Sequence, residues 1–76
     1  MTDIEILEFN AGGQQIKQMS AISFLGWLSN KLNGVTITPI VQELRTALSS
    51  PPMMNRLADE TKIHYVRLLL KTGVTL

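Results

Sequence analysis

The spacing of apolar residues changes period along this chain of 76 residues. In residues 3–9, DIEILEF, Ile4 and Ile6 alternate with Glu5, which predicts a half-buried strand; Leu7 breaks the alternation before Phe9. Asn10-Ala11-Gly12-Gly13 predicts a turn, because glycine and asparagine tolerate positive φ. Residues 14–19 then read as a return strand, with Ile16 and Lys17 on opposite faces and a four-residue loop closing the hairpin. A lone hairpin is marginal, so it must pack on something.

From Ser20 onward the period is helical. Ser20 is a good N-cap for a helix over 21–33 that Gly34 ends. Ala21, Phe24, Leu25, Leu28 and Leu32 share one face of it, with Ile22 and Trp27 at that face's opposite edges. A short β-prone link, Val35-Thr36-Ile37, leads to Thr38-Pro39, a cap followed by proline at the first helical position. The helix over 39–48 turns Ile40, Val41, Leu44, Ala47 and Leu48 inward, and Ser49-Ser50-Pro51-Pro52 breaks it. Residues 53–57, MMNRL, read as a short helical turn. The last helix has Asp59 as its cap, Glu60 near its positive end, Ile63, Val66, Leu69 and Leu70 facing a core, and Gly73 as its stop. Residues 74–76 form a β-prone tail.

The expected fold is therefore α+β, an N-terminal antiparallel β-hairpin packed on a compact bundle of three or four short helices. Residues 1–76 form one small domain, with the hairpin in 1–19 and the helical part in 20–73. An all-α fold with a disordered or swapped N-terminus is the alternative.

Composition narrows the function classes. Hydrophobic residues make up 45% and charged residues 17%, and the mean hydropathy is +0.15, which argues against disorder. A domain this short buries only about 60% of the surface its unfolded chain exposes. With no cysteine, disulfides and cysteine-based zinc sites are excluded, which leaves homo-oligomerisation as the available reinforcement. The net charge of +1 divides into −1 over residues 1–50 and +2 over 51–76, a small basic bias at the C-terminal end. No apolar run approaches the ~20 residues of a membrane helix, and the acidic start lacks the basic region of a secretory signal. A cytosolic protein, with no membrane partner, is the expectation.

Candidate chemistry is sparse. Glu60 and His64 are an i, i+4 pair able to hold two metal bonds, but no third ligand is near in sequence, so a surface contact is the plainer reading. Gly12-Gly13 lacks the following helix of a phosphate loop and reads better as a hairpin turn. No serine lies in a nucleophile elbow. No catalytic residue, metal site or cofactor is expected. Glu60, His64, Arg67 and Lys71 recur at i, i+4, i+7 and i+11 and form a face that grows basic along its length. Trp27 serves either to close the core or to anchor a partner. Met53-Met54 reads as core filling, with an adaptable binding surface as its other use.

Two overlapping frames within residues 38–73 resemble the small helix-turn-helix and winged-helix regulators. In one, 38–48 is the positioning helix and the run LSSPPMMNRL is similar to the turn and start of a recognition helix. That resemblance implies that Asn55 and Arg56 read DNA. In the other, DETKIHYVRLLLKTG is similar to the third helix of winged-helix regulators, which implies that His64, Tyr65, Arg67 and Lys71 face DNA. Against this, the small net charge supplies few phosphate contacts. The sequence favours a small non-enzymatic regulatory protein that binds another macromolecule, a protein above all, as adaptor, inhibitor or assembly subunit. Its partner-binding residues are then Trp27, His64, Tyr65, Arg67 and Lys71. The alternative is a DNA-binding transcriptional regulator using Asn55, Arg56, Arg67 and Lys71.

Overall fold

The computed structural model describes residues 2–50 and 56–76. Within them the chain runs through α1 (Asp3–Glu8), β1 (Asn10–Ala11), β2 (Gln14–Gln15), a 3-10 turn (Ile16–Gln18), α2 (Ala21–Leu32), α3 (Pro39–Ser49) and α4 (Asp59–Lys71). The fold is α+β: an antiparallel hairpin near the N-terminus and four α-helices among the described residues.

Residues 3–9 correct the expected strand. Asp3–Glu8 form α1, with Phe9 as its C-cap, because Thr2 and Glu5 make a reciprocal capping box. The Thr2 hydroxyl accepts from the Glu5 amide at 3.2 Å, and the Glu5 carboxylate accepts from the Thr2 amide at 2.7 Å. The two isoleucines that suggested alternation do not share a face: Ile6 is 1% exposed and Ile4 is 69% exposed. The hairpin is accordingly shorter than expected. Asn10 pairs with Gln15 and Ala11 with Gln14, so the loop is two residues long, not four. Gly12 and Gly13 have φ of 64° and 87°, as a type I′ turn requires at both central positions. The expected return strand over 14–19 stops at Gln15. The Ile16 amide donates once more across the hairpin, to the Phe9 carbonyl at 3.1 Å, and the chain then tightens into the 3-10 turn. That turn puts Ile16 fully inside.

α2 and α3 follow the sequence signals closely. The Ser20 hydroxyl accepts from the Ser23 amide at 3.1 Å, and the Thr38 hydroxyl accepts from the Val41 amide at 3.2 Å with Pro39 opening the helix. All five inward residues expected of α2 are buried. In α3, Val41 and Leu44 are buried while Ile40 and Leu48 pack partly exposed against the core. α4 differs at its start: Ala58 is the cap, without a side-chain hydrogen bond, and Asp59 lies inside the first turn. There its carboxylate still favours the positive end of the helix dipole. At the far end the Thr72 hydroxyl donates to the Leu69 carbonyl at 2.6 Å, and Gly73 takes φ 84°. Residues 74–76 form no strand; Val74 and Leu76 pack against the core, and the Lys31 ammonium donates to the Thr75 carbonyl at 3.5 Å.

One apolar cluster draws on α1, the hairpin, the 3-10 turn and the three longer helices, with Ile6, Ile16, Phe24, Leu28, Val41, Leu44, Val66 and Leu69 as its largest enclosed side chains. Among these elements, α4 packs against α1, α3 and the 3-10 turn. It fastens the 3-10 turn through Lys62, which is 4% exposed. Its ammonium donates to the carbonyls of Met19 at 2.9 Å and Lys17 at 3.4 Å and lies 3.8 Å from the Asp59 carboxylate. A buried ammonium is tolerated only when its donors are used in this way.

Candidate functional site

The basic stripe is present on α4, with Glu60, His64, Arg67 and Lys71 all exposed. Neighbouring helices answer much of its charge. Arg67 is ion-paired and hydrogen-bonded to Asp3 of α1. The His64 ring lies 3.7 Å from the Glu43 carboxylate of α3, so the contact expected within α4 from Glu60 is made between helices instead. Lys71, unlike Arg67, has no ion pair within the described residues. The stripe is thus a basic ridge bordered by acidic side chains from both sides. No group of three or more His, Asp or Glu side chains among the described residues is placed to hold a metal ion.

Beside this ridge, α3 and α4 enclose a shallow groove of about 400 Å³ lined by Glu43, Thr46, Ala47, Ser50, His64 and Tyr65. The sequence places these residues there through ordinary helical spacing. Glu43, Thr46, Ala47 and Ser50 fall at i, i+3, i+4 and i+7 along α3 and its cap. His64 and Tyr65 are consecutive on α4, with ring centroids 5.7 Å apart. Tyr65 is half-buried, packed against the core, and Ala47 is half-buried beside it. The Thr46 hydroxyl donates to the Gln42 carbonyl at 3.0 Å, and no hydrogen bond joins His64 to a serine or threonine hydroxyl among the described residues. The groove offers an aromatic ring, a small apolar floor and a rim of hydrogen-bonding groups.

Trp27 lies elsewhere. Its ring centroid is 5.7 Å from that of Phe24 and 6.5 Å from that of Phe9, and it is half-buried. It fastens the end of α1 onto α2 and does not join the groove. Gly12-Gly13 is a hairpin turn. Arg56 is exposed in the non-helical residues that lead into α4. Asn55, Met53 and Met54, and with them most of the recognition helix of the first helix-turn-helix frame, lie outside the described residues, and Arg56 and Leu57 of the expected helical turn over 53–57 are not helical.

Sequence reasoning missed the acidic partners Asp3 and Glu43, which depend on tertiary packing. It also missed the burial of Lys62, for which a signal exists: Lys62, Val66 and Leu69 recur at i, i+4 and i+7 on one line of α4. The chain matches no protein-family model, and comparison with curated proteins and with solved structures finds no match.

Proposed function

We propose that the chain is a small non-enzymatic regulatory protein that acts by binding another protein, as adaptor, inhibitor or assembly subunit. The observation that supports this reading is the α3–α4 groove. It combines the half-buried Tyr65 ring and the Ala47 floor with the rim of Glu43, Thr46, Ser50 and His64. An apolar centre with a hydrogen-bonding rim, tyrosine included, is the anatomy of protein interfaces. The pairing of Arg67 with Asp3 and His64 with Glu43 favours a protein partner over nucleic acid. A phosphate backbone approaching this ridge meets two carboxylates that repel it, whereas a protein surface can present groups of either sign.

The test is capture of the partner from native extract at low and moderate salt, with wild type and Thr46→Arg run side by side. Thr46 is exposed, so the arginine fills the groove and leaves the core intact. A stoichiometric protein that survives moderate salt with wild type and is lost with the variant, at an unchanged melting temperature, supports the reading. Recovery of nucleic acid that salt removes steeply, or equal capture by the variant, overturns it.

A further inference from the structure

A second concavity lies on the α2 side of α3, away from the groove. It measures about 240 Å³ and is lined by Ser29, Asn30, Leu32, Asn33, Arg45 and Leu48. Its chemistry differs from that of the groove. Arg67, Lys62 and Lys31 each have a carboxylate or carbonyl partner within the fold. The Arg45 guanidinium has none among the described residues, and the side chains of Ser29, Asn30 and Asn33 make no hydrogen bond there either. One hydroxyl, two amides and a guanidinium fork therefore line the same small pocket with their donors unused. Leu32 and Leu48 supply the apolar part of the lining.

The balance of charge selects the ligand. The pocket holds one full positive charge. It also lies against the last turn of α2, where helix carbonyls carry partial negative charge. One guanidinium opposed by a helix C-terminus suits a monoanion better than a doubly charged phosphate. A carboxylate matches the fork with two parallel N–H···O bonds. We propose that this pocket binds a carboxylate, presented by an acidic side chain of a peptide segment. Only the peptide source rests on the protein-binding reading; the selection of a carboxylate rests on the pocket's own donors.

The probe is an acetylated, amidated Gly-Glu-Gly tripeptide titrated into isotope-labelled protein, with the side-chain N–H signals of Arg45, Asn30 and Asn33 followed by NMR. Saturable shifts confined to these residues are expected, and none with Gly-Gln-Gly. Arg45→Gln lowers the affinity roughly ten- to a hundredfold, the range of a charge-assisted hydrogen bond, and Arg45→Lys falls between the two. Arg45 is exposed, so an unchanged melting temperature shows that either variant is folded. Absence of saturable shifts, equal shifts with the glutamine peptide, or an affinity unaltered in Arg45→Gln overturns the assignment. Tighter binding of inorganic phosphate than of the glutamate peptide overturns the choice of a monoanion. None of these results touches partner capture through Thr46, which lines the other concavity.

Discussion

The ammonium of Lys62 donates to the carbonyl oxygen of Met19 at 2.9 Å, and so ties α4 to a segment 43 residues earlier in the chain. A lysine in this position acts as a fastener for the 3-10 turn, whose outgoing carbonyls have few other donors to meet.

Lys62→Met tests that fastener. The thioether keeps the apolar stem but leaves the Met19 and Lys17 carbonyls without their donor. A buried polar group left unpaired costs about 1–3 kcal/mol. For a domain of this size each kcal/mol lowers the melting temperature by roughly 4–8 °C. A variant that melts with wild type refutes the role.

The hairpin turn gives a sign that depends on conformation alone. A Cβ at Gly12 meets nothing within 4 Å, yet φ there is +64°. Gly12→Ala is expected to lower stability by about 1–2 kcal/mol, the cost of the left-handed region to an ordinary residue. Gly12→Asn is expected to be near neutral, since Asn-Gly is the favoured type I′ pair. Equal losses in denaturant melts of the two variants contradict this account.

Trp27 closes the seam between α1 and α2 against Phe9 and Phe24. Trp27→Ala is expected to cost roughly 3 kcal/mol, in the range of large-to-small substitutions at packed aromatics. Trp27→Phe is expected to recover most of that loss. A thermal melt of the alanine variant that is indistinguishable from wild type removes Trp27 from the core and returns it to an interface role.

The α4 ridge distinguishes the protein-binding reading from the nucleic-acid one. Duplex DNA binding is expected to be weak and shallow in its salt dependence both in wild type and in the Arg67→Ala, Lys71→Ala double variant. Both side chains are exposed, so stability changes by no more than ~0.5 kcal/mol apart from the modest Asp3 pair. Tight binding of wild type to duplex DNA, with a salt slope that falls by about 2 in the double variant, reverses this conclusion.

The helices most legible in the sequence are those whose caps and apolar stripes agree. Ser20 and Thr38 start α2 and α3 where expected, and Gly34 and Gly73 follow the ends of α2 and α4. The first element was misread because two signals conflicted. Alternation of Ile4, Glu5 and Ile6 spoke for a strand, while Thr2 and Glu5 already spelled the capping box that prevails. A six-residue helix gives too few turns for its apolar stripe to declare itself. At the candidate site, helical spacing was enough to place His64, Arg67 and Lys71 on one exposed face. The carboxylates facing them come from α1 and α3, and only packing brings those helices alongside. The pocket around Arg45 was equally hidden, because Asn30 and Arg45 lie on different helices.

The reach of α4 back to the beginning of the chain bears on how the protein is made. Asp3 and Met19 are synthesised more than forty residues before the side chains that hold them, Arg67 and Lys62. α2 and α3 are therefore made while α1 and the 3-10 turn still lack their contacts with α4. A nascent chain halted before α4 leaves Ile6 and Ile16 without the helix that packs against α1 and the 3-10 turn.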